Sequence, residues 1–409
     1  MPNTFYWNIA PHLDNLDRLN VAGPLRTCWL KESMSDLPLL PVYLAGAWPA
    51  ASWYIHHIID KKRHPEKAFN DDTEEIARDA FLVALDDQLR VGADIVSTNL
   101  GLPGVAEGIA LLDRIQGLEP LPNRKLLRSR LYQSAPMYRQ TKPLLALRGL
   151  GIATDAERLM SLSSTISVST LPGPYTLAGM IAGGQSRLSI ANALSTLLRG
   201  EIESLVAHGV TLIQLDESGF SWAPDDPLIL ADLVRRTVDG IPVEVHLRLG
   251  YLDGTGRPMG RKRYRPWLVD TANAVTNATI NIRQFDLAFG SVEMAEVDVL
   301  AELPPRRIGL GIVDTACTWV EPSGLLMDRI LQAKNYVPAE RLWITADAGM
   351  ATLSRNVAIR KVNNMVEAAR LVRERLGVRE ATPSTPILTL PLPEPTIPEA
   401  ASTNCDISS

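Results

Sequence analysis

The chain predicts an α/β fold, a (β/α)8 TIM barrel, on three observations. Strand-like and helix-like stretches alternate along most of its 409 residues. From residue 166 onward five strand–helix units follow one another with a sixth strand after them, and two more units lie between 38 and 165. No Asn-Gly hairpin signal interrupts the alternation. With 46% hydrophobic residues the chain can bury a large core, and barrels exceed the usual domain length.

Taken in order, residues 1–37 form an N-terminal extension without a clear period. PVYLAGAWP, Pro41 to Pro49, reads as a short strand ending in a Gly/Pro turn. Asp71 to Gly92 predicts an amphipathic helix, because Ile76, Ala80, Val83, Ala84 and Leu85 share a face with acids opposite. ADIVSTNLGLPG is strand and loop. Residues 113–160, with the basic, Leu-rich run RKLLRSRLY, read as mainly helical. ISVSTLPGPYTLAGMIAGG is a strand, a Pro-Gly-Pro turn and a helix start, and Ser186 to His208 is a helix. TLIQLDESGF is a buried strand running into Asp216 and Glu217.

Helices are then expected over Leu228 to Val238, Trp267 to Val275, Glu293 to Leu300, Ser323 to Ala333 and Val357 to Leu376. Between them lie the strands IPVEVHLRLGY, ATINIRQFDLAFG, RIGLGIVDTACTWVE and RLWITADAGM. The barrel is thus placed at 38–378, and 379–409 is a Pro/Ser/Thr-rich tail expected to be disordered.

A net charge of −5 and a pI near 5.8 speak against bulk nucleic-acid or anionic-membrane binding. Cys28, Cys317 and Cys405 are far apart and show no metal-type spacing, which fits a reducing compartment. No apolar run reaches membrane-spanning length and no signal-peptide pattern opens the chain, so a cytoplasmic protein is expected. The sequence leaves the oligomeric state open.

In parallel barrels chemistry sits at the C-terminal ends of the strands. That rule marks Asp216 and Glu217, although two such acids equally well cap a helix or bind a neighbouring Arg.

The ordered set LPGPYT, IQLDESGF, VEVHLRLGY, RIGLGIVDT, VPAERLWITADAG and NNMVEAAR resembles the C-terminal barrel of the cobalamin-independent methionine synthase family. The likeness spans residues 40–376 and implies the barrel shared with uroporphyrinogen decarboxylase. It also implies a zinc held by a His, a Cys two residues on, a Glu on the next strand and a Cys on the last. Here His246 matches the His, Arg248 and Ala348 stand at the two Cys positions, and Arg283 or Gln284 falls at the Glu position with Asp286 close by. The family's substrate-amine acid falls on Ser97-Thr98-Asn99, and its G-S-F-P turn is Gly46-Ala47-Trp48-Pro49.

From these departures the expectation is a zinc-free enzyme, with folate binding possible. It would act on a small anionic molecule as a lyase, decarboxylase or cyclase; the alternatives are a folate-dependent methyltransferase and a non-catalytic ligand-binding relative. Catalysis is assigned to His246, Asp216 and Asp347, and substrate binding to Arg248, Arg283, Glu217, Trp48, Asn99 and Tyr175. Two Arg residues would replace the metal's positive charge, and a His flanked by Arg would stay neutral. Equally, Arg248 could simply pair with Asp216 or Glu217. The run RPMGRKRYR, Arg257 to Arg265, carries five basic residues in nine and either steers an anion or is a solvated loop.

Overall fold

The computed structural model describes residues 36–63, 73–101, 107–121, 138–183, 185–222, 226–250 and 261–378. Residues 1–35 of the N-terminal extension, the tail and the run RKLLRSRLY lie outside the described residues.

Eight parallel segments close into a ring. They are β1 (residues 42–43), β2 (Val96–Ser97), β3 (Ser167–Pro172), β4 (Leu212–Asp216), β5 (Glu244–Leu249), β6 (Ile282–Ala288), β7 (Arg307–Val313) and β8 (Leu342–Ala346). Strands β2 to β8 form a seven-stranded sheet in chain order. Segment β1 closes it by bridging Val42 to Ile344 on one side and Tyr43 to Ile95 on the other. Backbone bonds from Tyr43 N to Ile344 O (3.0 Å) and from Leu44 N to Ile95 O (3.0 Å) seal both seams.

The longer helices are α1 (Ser52–Arg63), α2 (Thr73–Arg90), α3 (Ile152–Leu162), α4 (Arg187–Ala207), α5 (Pro227–Val238), α6 (Arg261–Ala278), α7 (Ser323–Lys334) and α8 (Arg355–Arg375). Local chemistry starts them. Ser186 caps α4 by accepting from Ser189 N, and Asp226 caps α5 by accepting from Leu228 N with Pro227 following. Along α4 the buried residues Ile190, Ala191, Leu194, Leu198, Ile202 and Leu205 recur at helical spacing and cover the sheet.

Two expectations are corrected. Residues 293–300 form no α-helix; 3-10 turns at Gly290–Val292 and Val297–Glu302 stand there. Glu293, Met294 and Glu296 take left-handed φ values of 52°, 61° and 61°, which breaks the helical ladder while Met294, Val297 and Leu300 still reach the core. Residues 138–145 are not helical either: Tyr138–Leu145 is a strand, antiparallel to Gln116–Pro120. Pro143 inside this run has no N–H for a helix.

The mouth of the barrel is drawn tight at the seam of the first and last strands. Gly46 has φ 77°, and a Cβ there would lie 2.5 Å from Gly349 Cα, so backbone meets backbone. Beside this contact is a cavity of about 10 Å³, lined in part by Trp48, Ser97, Thr345, Ala348 and Met350, with room for about one water.

Candidate active site at the barrel mouth

Register places Asp216, Arg248 and Asp286 side by side on β4, β5 and β6. Arg248 donates to Asp216 Oδ2 at 2.6 Å, and both side chains are 18% exposed. Asp216 Oδ1 also accepts from Ser218 N at 2.9 Å and from the Ser218 hydroxyl, so it caps the short helix Ser218–Trp222. Of the two readings of Arg248, the structure contains the ion pair. Arg248→Met is expected to cost roughly 1–3 kcal/mol in a denaturant melt, between the values for exposed and fully buried pairs.

Glu217 is fully buried and points back across the mouth. It accepts from Tyr175 N (3.0 Å), Thr176 N (2.8 Å) and Thr176 Oγ1 (2.7 Å), and so caps the helix Pro174–Ala178. Gly173 makes room for it, since a Cβ there would lie 2.2 Å from the Glu217 carboxyl carbon. Asp347 accepts from Gly290 N (2.8 Å) and Ser291 N (2.6 Å), holding the turn after β6.

Burial pushes Glu217 up to about 7 and Asp347 up to about 6, against the backbone donors that favour their ionised forms. Both folded values lie above the unfolded ones. Between the two the unfolded chain releases these protons while the folded chain keeps them, so stability falls as pH rises from about 4 to about 7. Each tenfold difference in proton affinity is worth about 1.4 kcal/mol. Urea melts are expected to show higher stability at pH 5 than at pH 7.5, because the two carboxyls outweigh His246, whose lowered pKa works the other way over the same range; the opposite order would show that they do not.

His246 sits two residues, roughly 7 Å, below Arg248 on the same interior face of β5. Its ring is fully buried, edge-on to Tyr43 and Trp343 at centroid distances of 5.4 and 5.3 Å. Nε2 lies 3.0 Å from Glu244 Oε1, and Nδ1 makes no hydrogen bond among the described residues. Burial lowers its pKa to about 4, with Asp286 opposing. Burial, rather than a flanking Arg, is thus what disfavours the protonated ring.

Around it runs a polar core in which the sequence marks Gln284 and Asp286 only as standing at or near the family's Glu position, and does not mark Gln214 or Thr170. Asp286 accepts from Gln214 Nε2 (2.5 Å) and Gln284 Nε2 (2.8 Å); the Thr170 hydroxyl donates to Gln214 Oε1 (3.3 Å) and accepts from Gly46 N (2.7 Å). The period-2 placement of polar residues in apolar strands (Gln214 and Asp216; Glu244, His246 and Arg248; Gln284 and Asp286) was the available signal.

The other expected residues have structural partners. Trp48 is buried, with Nε1 3.3 Å from Asp87, which Arg355 also grips. Asn99 exchanges two hydrogen bonds with the Thr170 backbone, at 2.9 and 2.7 Å, and so extends the sheet. Tyr175 is buried edge-on to Phe220 with the Arg187 guanidinium 3.9 Å over its ring. Arg283 does not reach the mouth. It is exposed near the start of β6, five residues and roughly 16 Å before the strand's end. The expected pair of free arginines for an anion is thereby corrected: Arg248 is neutralised by Asp216 and Arg283 is at the wrong end. In the basic run, residues 257–260 lie outside the described residues, and Arg265 is bound by Asp298 and Glu302.

Together these features define an eight-stranded α/β barrel with a polar core opening at its C-terminal mouth. Comparison with known proteins shows what the chain is similar to. Residues 271–371 match the catalytic-domain profile of cobalamin-independent synthase. The chain is 26% identical to a methionine synthase of Pyrococcus abyssi over 347 residues, covering 83% of this chain and 95% of that one. A methionine synthase of Thermococcus kodakarensis is 27% identical over 363 residues, covering 86% and 98%. The fold matches a B12-independent methionine synthase from Shewanella sp. W3-18-1, solved in complex with selenomethionine, at TM-score 0.64 and 21% identity over 84% of this chain and 100% of that one. The chain is a relative of the cobalamin-independent methionine synthase family.

That relationship overturns the expectation of a protein without zinc, because the family is zinc-dependent. The residues at the matching positions do not by themselves make a zinc site. Arg248 and Ala348 offer no donor and both Asp286 oxygens accept from glutamines, which leaves His246, through its unbonded Nδ1, as the one suitable donor at those positions. Among the described residues no three His, Cys, Asp or Glu converge for a metal. Likewise, no helix among them is long and apolar enough to cross a membrane.

Proposed function

We propose that this barrel is a methyltransferase of the methionine-synthase type, moving a methyl group from a donor onto a small acceptor at the mouth. The reading rests on the extent of the match, since the chain spans 95–98% of the length of relatives named methionine synthase. It supersedes the lyase, decarboxylase or cyclase reading, which depended on a cationic cradle that the ion pair of Arg248 removes.

In this reading His246 is the base. The acceptor's X–H bond breaks, its proton passes to Nδ1, and X forms the bond to the methyl carbon while the donor leaves with the electron pair of its own bond to that carbon. Asp216 and Arg248 roof the site as a neutral pair. Ser97 and Asn99, at the position of the family's amine-binding acid, are spent on Gly46 O, Asn99 N and the Thr170 backbone, so the acceptor's amine is not held there as in the family.

Metabolite profiling of a deletion strain tests the reaction class. Methyl transfer predicts accumulation of one small molecule and loss of a partner heavier by one CH2. A pair differing by CO2 would instead support a decarboxylase.

A further inference from the structure

The loop that leaves β7 at the mouth, residues 314–322, is pinned along its length. Lys361 Nζ, buried on α8, donates to Asp314 O at 3.0 Å, to Trp319 O and to Glu321 Oε2 at 2.6 Å. Asp314 N donates to Glu321 Oε1 at 2.9 Å, and Ala316 N to Asp314 Oδ1 at 2.8 Å. Trp319 N donates to Cys317 Sγ at 3.3 Å, and Thr352, in the loop after β8, donates to Thr315 O at 3.4 Å. Both backbone polar groups of Trp319 are thus committed. Yet its side chain is 55% exposed, more than any other tryptophan, tyrosine or phenylalanine among the described residues. An apolar ring on a slack loop can fold back onto the protein. This one is kept out by bonds that end on a buried ammonium, so the surface it offers is fixed before anything binds.

Charge decides what that surface suits. Lys361 is bonded to Glu321 and Arg248 to Asp216, so neither is left for an anion. Asp314, just past β7, and Asp347, just past β8, lie close enough for their charges to repel. A cation brought to this side of the mouth relieves that repulsion. The face of an indole attracts cations, and most of all those whose charge is wrapped in methyl groups rather than in tightly held water.

We propose that Trp319 is the docking platform for a methyl donor that is an onium cation, a sulfonium or a quaternary ammonium, held by cation–π contact on the β7 side of the mouth. The donor's role rests on the methyl-transfer reading; the cation site does not. In the transfer the acceptor atom X gives up its proton to the base and forms its bond to the methyl carbon. The bond from that carbon to S+ or N+ breaks, and its electron pair goes to the heteroatom. The donor leaves as a neutral thioether or tertiary amine, for which the indole face has lost its electrostatic attraction.

The test is fluorine NMR of the full chain labelled with fluorotryptophan, with the Trp319 signal identified by its loss in Trp319→Leu. Trimethylsulfonium, tetramethylammonium and neutral tert-butanol, which is of nearly the same size, are the probes. The Trp319 signal is expected to shift saturably with at least one of the two cations and not with tert-butanol, and the cation that binds the tighter gives the donor class. Ligand-observed titrations are expected to show that Trp319→Leu weakens cation binding by about three- to thirtyfold and Trp319→Phe by less. In turnover with an onium donor the same factor should appear in the donor's KM with kcat little changed. An unmoved Trp319 signal overturns the inference. So does a response to tert-butanol equal to that of the cations, or cation binding in folded Trp319→Leu as tight as in wild type. Cation binding through Trp319 in a protein that transfers no methyl group would refute the methyl-transfer reading and leave the cation site standing. Methyl transfer from a neutral donor alone, with no cation bound, would do the reverse.

Discussion

Replacing Lys361 with methionine is expected to remove about 3–5 kcal/mol of stability, the largest single loss foreseen for this chain. The Lys361 side chain is 0% exposed and that of its partner Glu321 is 2% exposed. Nζ donates to Glu321 Oε2 at 2.6 Å, to Asp314 O at 3.0 Å and to Trp319 O. The other Glu321 oxygen accepts from Asp314 N at 2.9 Å, and Asn364 donates to Glu321 O at 2.8 Å. One ammonium on α8 thus ties down the whole loop that leaves β7 at the mouth. Methionine fills the space but strands a buried carboxylate and two carbonyls. Denaturant melts measure the cost. The double variant Lys361→Met with Glu321→Gln is expected to recover part of it, because no charge is then left unpaired. A loss below about 1 kcal/mol for the single variant would mean that water reaches the pair.

The second large effect is on rate. His246→Gln is expected to lower methyl transfer by about 100- to 10,000-fold, the usual worth of a placed general base. The amide can still donate to Glu244, which Arg307 also bonds, so the melt should move little. The loss should fall on kcat rather than KM, since no substrate-binding charge is removed. Activity within a fewfold of wild type would take His246 out of the chemistry and leave it as a packing residue.

The fold was legible because helix and strand periods are written in apolar residues that the barrel buries. Ile190, Leu194, Leu198 and Leu205 on α4, and Ile213 and Leu215 on β4, are all at 0–1% exposure. Period cannot show how far along its strand a residue sits or what it pairs with. Asp216 and Arg248 were correctly put on neighbouring strand ends, yet that they neutralise each other depends on a cross-strand register. Arg283 or Gln284 aligns to the family's Glu position by sequence, but Arg283 is the second residue of β6 and points outward, while Gln284 is level with His246 and Asp286 with Arg248. Glu293 and Glu296 looked helical because left-handed φ values leave no mark in an apolar pattern. Glu217 was singled out at a strand end, and its role as a cap for a helix about forty residues earlier follows only from tertiary contact.

The most direct measurement is transfer of an isotopically labelled methyl group by the purified protein, followed by mass spectrometry. Homocysteine and a panel of other small nucleophiles would serve as acceptors, each offered with cationic and tertiary-amine methyl donors, with and without added zinc. The expected result is a labelled methyl on one acceptor, formed by wild type and reduced at least a hundredfold in His246→Gln. Consumption of a small substrate by loss of carbon dioxide or by bond cleavage, with no labelled methyl on any acceptor, would contradict it.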